Sequence, residues 1–298
     1  MPHTLATLFT HYLTETQLDH APSTHYQQRV FFSKILRDLG AVPLEDVTPD
    51  LLRTWKAHLT THYARSTVHR YMAFVNCALR YAVECEWLTV NPMAKVRKPS
   101  PGRGRVRFLT HAERHRLLLA CQASRNPCLY PIVLLALSTG GRKNEVRGLC
   151  WPEVDFARGV VRFLKTKTDE PRAVPLLGEA RRVLEQRFCG VRAGIPWVFP
   201  RADGTKPRDI ECAWTTARQH ADLTDFRFHD LRHTFASYMA MSGASLREIA
   251  EALGHRKLQQ TMQYSHLLQS HTHGVVERMI HAFLLEPPAN DPEMPSGG

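Results

Sequence analysis

Apolar residues recur at three- and four-residue steps through most of the first hundred positions. The clearest run is Val68, Met72, Val75, Leu79 and Val83, which lie on one face of a helix that Ser66 is placed to cap. Asn91-Pro92 sets the limit of that element, because proline cannot donate to a helix and biases the residue before it towards extended backbone. Weaker repeats over 4–13, 26–39 and 49–59 predict three further helices. A helical domain over residues 1–97 follows.

From residue 108 the pattern is helical again, with Thr110 as a cap and Leu117, Leu118 and Leu119 inside the element. The apolar stretch from Ile132 to Leu137 then runs into a Gly140-Gly141 turn. After it the period changes. Gly159-Val-Val-Arg-Phe-Leu and Arg172-Ala-Val-Pro-Leu are two strand-like runs flanking a polar turn at 165–171. Helical spacing returns at Phe228, and Ser245-Leu-Arg-Glu248 is a capping box for a helix ending at Gly254. The fold expected is mainly α with a small antiparallel β-sheet: a helical N-terminal domain and a mixed α/β second domain over 108–286. Residues 287–298 have the composition of a disordered tail.

Composition and charge narrow the function. A chain of 298 residues, 43% hydrophobic and 22% charged, is an ordinary globular protein long enough for two domains. No apolar run reaches the roughly 20 residues of a membrane span, and the first residues lack the basic and apolar pattern of a signal peptide. A cytoplasmic protein with no membrane partner is expected. Seven cysteines, an odd number without a C-x-x-C pair, suit core thiols better than a disulfide framework. The net charge of +11 suits a polyanion. The charge gathers where the two domains meet: Arg97, Lys98, Arg103, Arg105 and Arg107 occur with no acidic residue among them, interrupted by Pro99, Pro101, Gly102 and Gly104. We read 98–107 as a basic linker, and those five cations as DNA-backbone contacts.

The chemistry-bearing residues lie in the second domain. His229-Asp-Leu-Arg232, Leu253-Gly-His255 and Tyr264 place two imidazoles, a guanidinium and a phenol on consecutive short elements. Thr139-Gly-Gly-Arg142 with Glu145 lies far upstream, and Thr166-Lys167-Thr168 precedes Val174-Pro-Leu. Rigid guanidinium forks suit a phosphate. A histidine can take a proton, and a tyrosine can attack phosphorus once deprotonated. His229 and His233 are four apart and His266, His271 and His273 cluster, but no H-E-x-x-H or Cys/His pairing accompanies them, so no metal site is expected.

These motifs, in this order, resemble the catalytic domain of the tyrosine recombinases, the phage-integrase family. The resemblance runs over 108–268 and also takes in Leu149-Cys-Trp151 and Asp155. The helical domain and basic linker are similar to the family's core-binding domain in pattern only. The resemblance implies a DNA breaking-and-rejoining fold and a 3′-phosphotyrosyl intermediate on Tyr264. It makes Arg142, Arg232 and His255 phosphate ligands, His229 a helper of the nucleophile, and Glu145 the support of Arg142. Lys167 becomes the proton donor to the leaving oxygen, with Lys165 as the alternative. It implies no cofactor, and double-stranded DNA at specific recombination sites as partner. The protein would be a monomer in solution and a tetramer on paired sites. The stripe Val276, Met279, Ile280, Phe283, Leu284 would pack either on its own domain or on a neighbouring protomer. Two other readings stand beside this one: a type IB topoisomerase, and a helical DNA-binding regulator without chemistry.

Overall fold

The computed structural model describes residues 3–100, 106–164, 170–191, 193–268 and, near the C-terminus, 274, 276–277 and 279–285. The chain divides into two compact units, 1–105 and 106–298.

The first unit is helical. Helices α1 (Leu5–Glu15), α2 (Pro22–Leu39), α3 (Pro49–His62) and α4 (Arg65–Glu84) bury Leu5, Leu8, Phe9, Phe32, Ile35, Leu52, Trp55 and Leu59 against the α4 face. Thr4 caps α1 through a capping box with Thr7, and Thr48 caps α3 directly before Pro49. The α4 boundaries correct the sequence reading. Its N-cap is Ala64, without a side-chain bond, and Ser66 lies inside the helix. The helix stops at Glu84, well before Asn91, and the chain turns at Glu86 with φ 61°. Asn91 instead caps the short 3-10 turn Pro92–Lys95. The buried face is Val68, Tyr71, Met72, Val75, Ala78, Leu79 and Ala82, so the stripe drifts off Val83. A 3.6-residue period rotates a fixed three-four pattern in this way over several turns.

The second unit is built around α6 (Leu129–Thr139), which packs on α5 (His111–Gln122), α8 (Gly178–Phe188) and α10 (Asp230–Met241). Thr110 and Glu113 form the capping box that starts α5. Helices α7 (Lys143–Arg147), α9 (Glu211–His220) and α11 (Leu246–Leu253) complete the helical part. The sheet has three antiparallel strands in the order β1 (Val154–Asp155), β2 (Val160–Phe163), β3 (Arg172–Pro175). Strand β1 is too short to leave a period-two pattern, so only the hairpin was legible. In that hairpin Val161 pairs with Val174 and Phe163 with Arg172, which places all four on the inward face. A satellite cluster of Ala236, Ala240, Ile249, Leu253 and Tyr264 lies beside the main core. All seven cysteines are free thiols.

Candidate active site

The turn after α6 carries the first guanidinium. Gly140 has φ 64°, and a Cβ there would lie 2.5 Å from Phe235 Cδ1. A Cβ on Gly141 would lie 2.6 Å from Val146 Cγ2. Both glycines are therefore required by close packing, and Gly140 also by its left-handed backbone. The turn delivers Arg142 to the N-cap of α7. There Glu145 accepts from the Arg142 backbone N–H at 2.9 Å and from its Nη1 at 3.3 Å.

Glu145 is buried, and a second arginine meets it. Arg172 Nη2 donates to Glu145 Oε2 at 2.7 Å, and Arg172 Nε donates to the Ala252 carbonyl at 3.0 Å. Burial by itself would raise the Glu145 pKa, but the bonds from Arg172 and Arg142 outweigh it and hold the carboxyl below its ordinary value. The Arg172 guanidinium also stacks 4.7 Å from the Phe163 ring centroid, its opposite residue in the hairpin.

The end of α11 is a Schellman motif. Gly254 is left-handed, His255 N–H bonds Ala250 O at 2.9 Å, and Gly254 N–H bonds Glu251 O at 3.0 Å. The last carbonyls of the helix are then taken one by one. Ala252 accepts from Arg172, Leu253 from Arg232 Nη2 at 2.7 Å, and Gly254 from the Glu170 N–H at 3.2 Å. A helix C-terminus is the negative end of the helix dipole, so cations settle there. Arg232 is 3% exposed, and its Nη1 also donates to Gly140 O at 3.0 Å. These two bonds tie the Gly-Gly turn to the α11 terminus. His255 Nδ1 lies 2.8 Å from Thr261 Oγ1, which orients the ring with Nε2 on its far side.

Tyr264 is a core residue in this structure, 1% exposed. Its hydroxyl lies 2.7 Å from His233 Nδ1, while His229, exposed at the start of α10, packs edge-on against His233 at 5.1 Å between ring centroids. Burial pushes Tyr264 up to about 12, opposed by the Arg232 charge. Burial, with the His229 charge beside it, pushes His233 down to about 4. The imidazole touching the phenol is thus His233, which the sequence reading weighed only as a metal ligand. The signal was present: His233 follows Arg232 directly, one turn beyond His229. Tyr238, the tyrosine of α10, packs with its hydroxyl on the Leu109 carbonyl at 3.0 Å.

The phage integrase family model matches residues 107–271, more than half of the chain, and the phage integrase SAM-like domain matches 4–98. The chain belongs to the phage integrase family. It is 31% identical over 223 residues to the integrase of Salmonella phage P22, covering 70% of this chain and 56% of that protein. With the shufflon-specific DNA recombinase of Escherichia coli it shares 34% over 205 residues, 68% of this chain and 51% of the other. The tyrosine recombinase XerC of Pelobacter propionicus is 28% identical over 249 residues, 80% of this chain and 82% of that one. The chain thus spans about half the length of the P22 and shufflon proteins. Among solved structures, a lambda integrase dimer bound to a core site superposes with TM-score 0.72 at 22% identity, over 88% of this chain and 77% of that one. That likeness establishes the fold.

In this integrase fold Arg142, Glu145, Arg232 and His255 are joined through Arg172 and the α11 terminus, and His229 reaches Tyr264 through His233. Lys167 and the alternative Lys165 lie outside the described residues, as do Arg103, Arg105 and the 287–298 tail. Arg97 is exposed and Lys98 half-buried. Arg107 is committed internally: it pairs with Glu113 at 2.5 Å and lies 3.8 Å from Asp225. That pair holds the Glu113 carboxyl down at about 2. No group of three or more His, Cys, Asp or Glu residues suited to a metal ion occurs among the described residues, and no described helix is long and apolar enough to cross a membrane.

Proposed function

We propose that this chain is a site-specific DNA recombinase that breaks and rejoins strands through Tyr264. One observation carries the reading. The elements bearing Arg142, Arg232 and His255 are hydrogen-bonded to one another around the end of α11, and Tyr264 sits one short turn away. The phosphorane-like transition state gains negative charge on its non-bridging oxygens. Donors fixed in advance by Glu145, Gly140 and Leu253 stabilise that charge without reorganising. Tyr264 Oη forms a bond to phosphorus as the P–O5′ bond breaks. The phenolic proton passes to histidine, His229 or His233, and Lys167 supplies the proton that the 5′-oxygen takes. A 5′-hydroxyl from a second strand reverses the sequence, so no cofactor supplies energy.

The buried phenol sets a condition on this chemistry. With Tyr264 in the core, attack requires the segment 258–267 to shift and expose it. That segment is two short 3-10 turns, Leu258–Gln260 and Met262–Leu267, an arrangement with poorer hydrogen-bond geometry than an α-helix. Arg97, Lys98, Arg103 and Arg105 would contact the DNA backbone, whereas Arg107 could do so only by leaving Glu113. One solved lambda integrase is a tetramer bound to a Holliday junction. We assign the same assembly to this chain, with paired recombination sites as its substrate.

The test is a nicked suicide duplex carrying the recombination site. The wild-type chain should form a covalent protein–DNA adduct that maps to Tyr264 after proteolysis. Tyr264→Phe should bind the duplex with unchanged affinity and form none. An adduct in that variant would defeat the assignment.

A further inference from the structure

Arg172 is a charged residue on the inward register of a strand, where a fully buried arginine is rare. Its side chain is 4% exposed and its carboxylate partner Glu145 6%, so in this fold Arg172 cannot itself touch DNA. What it touches is the support of two other residues. One edge of its guanidinium holds Glu145, which holds both the backbone and the side chain of Arg142. Its Nε holds Ala252 O, three residues before His255 and next to Leu253, whose carbonyl receives Arg232. The adjacent Gly254 carbonyl accepts from Glu170, two residues before Arg172 on the same strand approach.

We propose that Arg172 is the positioning residue that sets Arg142 and the His255 end of α11 in one register around the scissile phosphate; this deepens the strand-transfer reading above and rests on it. The three elements concerned, the Gly-Gly turn with α7, strand β3 and α11, are distant in sequence and have no local motif to fix their spacing. A planar fork that donates to two different elements fixes both separation and angle. A lysine ammonium carries its charge at one point and cannot reproduce that fork. Strand transfer is sensitive to such spacing, since displacement of a donor by about 1 Å can cost about 100-fold in rate.

The alternative is that Arg172 only stabilises the fold through a buried ion pair, and Arg172→Lys separates the two. Lysine keeps the positive charge beside Glu145, so a purely structural role predicts that R172K recovers stability and rate together. Adduct formation on the suicide duplex is measured in single turnover, with enzyme in excess and well below the Tm of every variant. Tm and DNA affinity are measured alongside. We expect R172K to fold and bind DNA like the wild type while forming adduct about 10–100-fold more slowly, and R172M to be slower still. A wild-type rate in R172K, or in R172M where that variant folds, overturns the proposal. Absence of adduct in the wild type itself would instead remove the strand-transfer reading, and the proposal with it.

Discussion

Tyr264 and His233 share a hydrogen bond in which the phenol is pushed up to about 12 and the imidazole down to about 4. The proton therefore stays on oxygen in the resting fold, and the proposed nucleophile is both hidden and unionised. The same pair makes stability depend on pH, with opposite signs at the two ends. Between pH 6.5 and about 4 the unfolded chain binds a proton at His233 that the folded chain does not, so stability falls as pH falls through that window. Between pH 10 and about 12 the unfolded chain loses the Tyr264 proton first, so stability falls as pH rises. Because His233 is partly exposed, we expect its contribution at pH 4.5 to be roughly 1–2 kcal/mol. Urea unfolding of wild type and His233→Asn at pH 7 and 4.5 checks this. The wild type should lose more stability than the variant, and equal losses would show that His233 is not protected from protonation.

At the scale of elements, the decisive pieces are two glycine-ended helices and a hairpin. Gly140 and Gly254 both adopt left-handed backbone at helix ends, and each leads into a side chain of the proposed site, Arg142 or His255. Gly140→Ala should be severe. It strains the left-handed conformation and drives a methyl into Phe235 and Leu253. We expect a loss of about 1–3 kcal/mol and a larger fall in adduct formation than stability alone explains, since Gly140 O also holds Arg232. Thermal melts beside single-turnover cleavage measure both. Some of these pieces were legible before folding: the cap at Thr110, the capping box at Ser245, the Gly-Gly turn, and the strand-like runs of β2 and β3. Strand alternation even flags Arg172, since Val174 points inward and the residue two before it must do the same. Its partners could not be read, because Glu145 and Ala252 reach it only through the packing of three separate elements.

For the whole molecule, the assembly proposed above needs a contact surface. Phe283 and Leu284 are 77% and 69% exposed, and Val276, Met279 and Ile280 are exposed beside them. Among the described residues nothing covers this apolar stripe, and in the assembly proposed above it would be the contact surface between protomers. Replacing Phe283 and Leu284 together by glutamate should leave Tm and single-site DNA binding unchanged and abolish the complex containing paired sites. Native gels with one and two sites distinguish these, and assembly equal to wild type would refute the contact.

The sequence by itself determined the family, the helical character of both units, the hairpin and the residue types a phosphodiester exchange requires. Those follow from short-range spacing, because helix periods, caps and glycine turns are local. Tertiary structure alone decided that Arg232 is buried between two helix ends, that Arg172 links Arg142 to the end of α11, and that His233 meets Tyr264. These pairs are separated by up to dozens of residues, and only burial, which leaves each charge and hydroxyl in need of a partner, selects which of the possible partners they find.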